Sequence, residues 1–251
     1  FQFSFRNAVL WIQCRLARPP GAGEELRSRE SLLVFDNATL GSLTLYVPVL
    51  NQGVPETAVL KGGWQAGRDS SEVAFLYPTF LMPEGLDGTR PLVIRVETPF
   101  ALQFRVTHYT LAAFKDTSAR LFLVIGFCAG ILVAMLLYNL VLYTFVRERQ
   151  YLWYILYVLF LLLWQCTLFG IVRYFWPGPG EWMVAHIPAI SSLMALFAVV
   201  FAIAFLETSR RTPRHHRLLQ VLAFCSAAIV VLVLLRYQWI GNVAAYLAGQ
   251  V

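Results

Sequence analysis

Cysteine is sparse in this chain: there are four, and no two of them stand at CxxC spacing. That argues against a zinc site or a redox dithiol. Cys128, Cys166 and Cys225 lie within apolar stretches, and Cys14 stands alone in the first half, where a small buried hydrophobe is the default reading. A Gly-rich phosphate loop, a nucleophile elbow and an HExxH motif are all missing, so no catalytic residue, cofactor or metal is expected in these residues. Acidic residues also run short in the second half. Residues 1–118 hold 11 Lys+Arg and 11 Asp+Glu, but residues 119–251 hold 9 against 3, so the whole net charge of +6 belongs to the second half. Membrane topology accounts for that excess, and nucleic-acid binding is not expected.

Charge is missing altogether from residues 121–146, 151–172, 182–206 and 218–235. A bilayer core about 30 Å thick needs roughly 20 apolar residues at helical rise, so each stretch reads as a spanning helix. Arg147 and Arg149 follow the first span, and Arg210, Arg211, Arg214 and Arg217 follow the third, whereas the alternate ends hold only Arg120, Arg173 and Arg236. Short Arg-rich loops stay cytoplasmic, so these six arginines are topology determinants and residues 1–118 are expected outside. Binding of anionic lipid headgroups is the second reading of the cluster. The segment Arg173–Trp182 reads as a turn-rich external loop with aromatic shoulders. After Arg236-Tyr237-Gln238-Trp239 a further apolar stretch, residues 240–251, reads as a fifth span cut short. With no Met at position 1 and no signal peptide, the chain is expected to be a piece lacking its secretory leader, its later spans and any domain beyond them.

Residues 1–118 read as one β domain. Apolar and polar residues alternate over 92–97 and 101–107, and further strands are expected at 9–16, 31–35, 43–49 and 74–80. Turn signals separate them at Pro19-Pro20-Gly21, Asp36-Asn37, Asn51-Gln52-Gly53, Lys61-Gly62-Gly63 and 84–88. The fold class is thus β plus membrane α: a sandwich or jelly roll, then a polytopic helical region of residues 119–251.

Several strings carry a specific resemblance: Gly126 and Gly130, then Tyr138-Asn139-Leu140, then Arg147-Glu148-Arg149-Gln150-Tyr151-Leu152-Trp153-Tyr154, and later Phe205-Leu206-Glu207-Thr208. With a β-rich domain ahead of them, they resemble the bacterial seven-transmembrane receptors with diverse intracellular signalling modules. Pro91–Glu97 with Phe100-Ala101-Leu102 is similar to a late strand pair of that family's external domain, and Gly63–Arg68 lies where a Gly-plus-Arg turn is usual. The resemblance implies a jelly-roll domain outside the bacterial inner membrane that binds carbohydrate or another small ligand. It also implies seven helices, a homodimer, and an output module of diguanylate cyclase or histidine kinase type, which these residues do not include.

A sugar site needs an aromatic plate and fixed polar groups, which makes Trp64, Arg68, Tyr77 and Trp11 the ligand candidates by type. Trp11 falls inside a strand pattern and reads as core. Gly126, Gly130, Ala134 and Tyr138 repeat every four residues and form one stripe, suited to helix packing within a bundle or between two copies. Asn139 at membrane depth must find a hydrogen-bond partner, either as plain structural bonding or as a link between helices that move on signalling. His186, with Pro188 two residues on, suits a helix start. His215 and His216 read as solvated surface. The reading is a sensor that passes ligand binding through its helices, with the bilayer and a small ligand as partners. A transporter or channel is the alternative, and lacks the mid-membrane carboxylates such pathways use. A membrane enzyme is the third class.

Overall fold

The computed structural model describes residues 8–15, 31–51, 54–65, 73–83, 86, 90–100, 103–207 and 213–248. Among the described residues, seven strands precede six helices. The strands are β1 (Ala8–Cys14), β2 (Ser31–Phe35), β3 (Ser42–Asn51), β4 (Val54–Gly62), β5 (Thr79–Leu81), β6 (Leu92–Thr98) and β7 (Val106–Thr110). They form an antiparallel four-stranded sheet of order β1-β6-β3-β4 and an antiparallel three-stranded sheet of order β5-β2-β7.

Both sheets turn apolar residues into one core. Leu33 and Phe35 of β2 and Phe80 of β5 meet Leu43, Leu45 and Val47 of β3 and Leu92, Ile94 and Val96 of β6. Strand β6 alternates buried and half-buried residues along its whole length, as its period-two sequence requires. Burying each such aliphatic side chain contributes about 2 kcal/mol. Phe35 and Phe80 meet edge to face with centroids 5.8 Å apart, a preferred geometry for two rings. Cys14 is half-buried against the same core, and burial pushes its thiol above the usual range.

Three strand expectations need correction. Strand β4 is additional, and Pro55 masks it in the sequence; at the edge of a sheet a missing amide proton breaks no inner ladder. Within 74–80 only Thr79 and Phe80 join a strand. Residues 74–77 form bends ahead of Pro78, whose carbonyl accepts from the Phe35 amide. Among the described residues of 101–107 the ladder begins at Val106. The carbonyls of Gln103 and Arg105 instead accept from the Asn37 side chain and the Asp36 amide, closing the turn after β2.

The helices are α1 (Leu111–Val146), α2 (Arg149–Leu168), α3 (Ile171–Phe175), α4 (Pro177–Ala185), α5 (Ile187–Phe205) and α6 (Pro213–Ala248). Among the described residues, α1, α2, α5 and the Pro213–Leu235 part of α6 are long and apolar enough to cross a membrane. Helix α1 begins ten residues ahead of the apolar run, and Asp116 and Arg120 pair across one turn of that extension. The expected external loop over 173–182 is largely helical. Pro177 opens α4, where a helix has no amide partner to lose. His186 caps α5 with Pro in its first turn, as its sequence suggests. Helix α6 runs through 240–248 without a break, so no turn separates the apolar stretch from Ile240 from the span before it. No proline interrupts residues 218–248, and helix propagation is favourable once nucleated.

Two compact units result: residues 1–124 with 168–184, and residues 125–167 with 185–251. In the second, Phe197 of α5 lies between Trp153 and Phe160 of α2, with near-parallel rings 6.2 and 5.4 Å away.

Candidate functional site

The turn after β4 is held from several directions. Gly63 has a φ of +101°, and a Cβ there would fall 2.4 Å from the Gly41 carbonyl oxygen, so only glycine fits. The amides of Trp64 and Gln65 donate to the carbonyls of Leu40 and Gly41 at 3.1 and 2.9 Å. Trp64 is half-buried, and its indole Nε1 donates to the Thr39 carbonyl at 3.2 Å. The Thr39 amide and hydroxyl in turn donate to Asn37 Oδ1, both at 2.7 Å. Trp64 is therefore partly open and fixed in place, while Arg68 lies outside the described residues.

On its other side the turn meets the segment between α2 and α5. Arg173 of α3 is 8% exposed, and its guanidinium Nη2 donates to the Gly63 carbonyl at 3.0 Å. Three residues earlier Gly170 has a φ of +75°. A Cβ on it would lie 2.2 Å from the Leu76 carbonyl oxygen and 3.0 Å from Ala38 Cβ. Gly180 of α4 approaches Arg173 as closely, for a Cβ on it would fall 2.4 Å from the Arg173 Cα. Two glycines and one buried arginine thus seat α3 and α4 against the β domain.

Tyr77 is not an open plate. It is 8% exposed, and burial, then the Asp36 carboxylate, push its hydroxyl above the usual phenol range. Its ring meets Phe75 edge-on at 5.9 Å, and Phe75 meets Phe114 and Phe122 of α1 at 4.9 and 5.8 Å. Phe122 continues to Tyr174 of α3 at 5.8 Å. An aromatic chain therefore joins Tyr77 to the start of α1 and to α3.

The relay candidates belong to the second unit. A Cβ on Gly126 or Gly130 would meet nothing within 4 Å, and Tyr138 is 63% exposed. Asn139 donates from Nδ2 to the Met135 carbonyl at 2.8 Å, a bond within its own helix. Arg147 ends α1 with a φ of 55°, Arg149 opens α2, and Arg214 and Arg217 are exposed at the start of α6. Arg210 and Arg211 lie outside the described residues. Trp11, read from its strand pattern as core, is 56% exposed, because Leu10 and Ile12 take the inner face of β1.

Residues 168–184 carry contacts that sequence reasoning missed. In the sequence Arg173 counts only as a charge at the end of a span, and its burial is visible only in the fold. No curated protein and no solved structure matches the chain. A sequence model of one family, described as 7TM diverse intracellular signalling, matches residues 121–250. Covering more than half of the 251 residues, that match makes the chain a member of the 7TM diverse intracellular signalling family.

Proposed function

We propose that this chain is the sensing and membrane-relay part of a bacterial receptor. Its β domain, outside the inner membrane, binds a small ligand, with carbohydrate the foremost class. Its helices pass the bound state to a cytoplasmic output module of diguanylate cyclase or histidine kinase type, acting as a homodimer. Membership of a membrane signalling family supports the general reading. The observation that carries the relay is the hydrogen bond from Arg173 to the Gly63 carbonyl.

That bond ties the turn bearing Trp64 to the segment that links α2 to α5. A ligand seated against Trp64 and Arg68 displaces the turn, and Arg173 carries the displacement to the ends of two spans. A ligand shifts such an equilibrium only by its differential affinity for the two arrangements. On this reading the six arginines keep the loops after α1 and α5 in the cytoplasm.

The test is a thermal-shift screen of the full chain in lipid nanodiscs against monosaccharides, oligosaccharides and small organic acids, followed by hydrogen exchange. Binding to the native state alone raises the melting temperature with concentration. The expected result is a saturable shift that Trp64→Ala weakens, together with changed exchange over residues 168–184 that Arg173→Ala abolishes. A saturable shift without any change over 168–184 overturns the relay, and no shift with any compound overturns small-ligand sensing.

A further inference from the structure

Residues 173–176 face two ways. Arg173 is buried and bonded to the Gly63 carbonyl, whereas Phe175 and Trp176 are 64% and 65% exposed. Both rings are nevertheless held in position. The Trp176 amide donates to the Val172 carbonyl at 2.8 Å, and its own carbonyl accepts from the Gly180 amide at 2.7 Å, so its backbone is tied to α3 on one side and α4 on the other. Phe175 meets Tyr174 edge-on at 5.2 Å and Trp176 at 6.4 Å, and Tyr174 meets Phe122 at 5.8 Å. Four rings thus run from the start of the apolar stretch in α1 to the end of α3.

Chain length limits what can cover Phe175 and Trp176. Helix α2 ends at Leu168 and α5 opens at Ile187, and both are apolar enough to cross a membrane. Phe175 lies 7 positions beyond Leu168, and α3 takes up 5 of them at a rise of about 1.5 Å each. The layer between hydrocarbon and water is about 5–7 Å deep on each side of a bilayer, so rings this close to the end of a span stand within or beside it. Indoles and phenols concentrate in that layer because each joins an apolar ring to a polar edge. A protein partner is the other occupant to weigh. Two rings of about 200 Å² each, about two-thirds exposed, offer roughly 260 Å², against about 800 Å² per side in a stable protein interface. A lipid interface sets no such minimum. With Arg173 turned inward, the contact it receives is through rings rather than through that charge.

We propose that the lipid interface on the β-domain side of the membrane is itself a ligand of this unit, held by Phe175 and Trp176, and that Arg173 makes the turn at Gly63 respond to bilayer thickness. A thicker or thinner bilayer shifts its interface relative to the ends of spans, which answer by tilting or by deforming the lipid around them. The two rings follow the interface, and Arg173 on the same short helix carries their movement to the Gly63 carbonyl. The bilayer acts through its unequal fit to two arrangements, as any ligand must. The lipid contact rests on the spans alone. The response rests on the Arg173 relay, with the bilayer as its input in place of a small molecule.

The test has two parts, both on the full chain. In the first, wild type and Trp176→Phe are placed in phosphatidylcholine vesicles brominated near the carbonyl or near the chain end, and the difference between the two proteins isolates the fluorescence of Trp176. Shallow bromines are expected to quench that difference about twofold or more, and to exceed both deep bromines and aqueous iodide. In the second, hydrogen exchange at the amides of Trp64 and Gln65 is followed in monounsaturated phosphatidylcholine bilayers of increasing chain length. Rates are expected to change about threefold or more across the series. Trp176→Ser and Phe175→Ser should remove that dependence and Trp176→Phe should keep it. Melting in a single lipid verifies folding of each variant, and either serine variant suffices should the other fail to fold. Quenching of Trp176 by iodide and not by bromine overturns the lipid contact. Quenching by neither, with cross-linking between copies that Trp176→Ser abolishes, overturns it in favour of a contact between copies. Shallow quenching with exchange independent of thickness overturns the response to the bilayer, and leaves small-ligand sensing to be decided by its own screen.

Discussion

Arg173 donates a 3.0 Å hydrogen bond to the carbonyl of Gly63, a residue 110 positions earlier in the chain. Both ends are buried, so truncating the arginine takes a charged donor away from a carbonyl inside the fold. Arg173→Ala is expected to destabilise the β domain by about 2 kcal/mol, the range for a hydrogen bond to a charged donor. Thermal melting of the full chain in nanodiscs checks this, and a change below about 0.5 kcal/mol, the scale of ordinary surface substitutions, refutes it.

Gly170 is the second anchor. Alanine there combines an unfavourable positive φ with a Cβ 2.2 Å from the Leu76 carbonyl oxygen. Gly170→Ala is expected to cost about 3 kcal/mol or more. Limited proteolysis at 168–184 should accelerate in this variant, because α3 can no longer seat between Ala38 and Leu76.

Gly126 and Gly130 contrast with it. Neither side-chain direction meets an atom within 4 Å, so alanine is expected to leave melting unchanged or raise it by up to about 1 kcal/mol through helix propensity. A loss of stability on Gly126→Ala or Gly130→Ala would place the stripe in a contact beyond the fold of one chain. Chemical cross-linking of the same variants identifies that contact as one between copies.

Tyr77 gives the β domain an alkaline limit. Its hydroxyl is pushed upward by burial and by Asp36, so the unfolded chain releases the proton first. The contribution is fully present below about pH 10, the unperturbed value, and is lost as pH rises through the folded value. Tyr77→Phe should change melting little at pH 7 and should reduce the loss of stability above pH 10, measured as the difference from wild type.

The proposed topology has its own test. In a background with all four cysteines replaced, Gly178→Cys in α4 should react with a membrane-impermeant maleimide on intact cells. Glu148→Cys, between Arg147 and Arg149, should react only after lysis. The opposite pattern refutes the orientation read from the arginines.

Much of the fold was legible because its signals are local. Strand β2 falls on the expected residues 31–35, β6 follows its alternation, and each charge-free stretch lies largely within a long helix. Local signals also misled. Pro55 hid an edge strand, and residues 103–105 look like a strand but serve the turn at Asp36 and Asn37. Trp11 was misplaced because Leu10, Trp11 and Ile12 are all apolar, and periodicity alone does not say which face is inward. The pairing of Arg173 with Gly63 was illegible for a different reason. It depends on tertiary placement across two spans, and no short pattern encodes that.

The same bond sets an order of assembly. When a chain is made from its N-terminus, the turn at Gly63 emerges long before Arg173, and α1 and α2 separate the two. The β domain therefore completes its packing only after the first pair of spans has been threaded and the chain has returned to the same side. Contacts so distant in sequence form late and slowly. Until they form, Ala38 and Leu76 lack the close approach of Gly170, so a molecule whose second span fails to insert carries an unfinished domain.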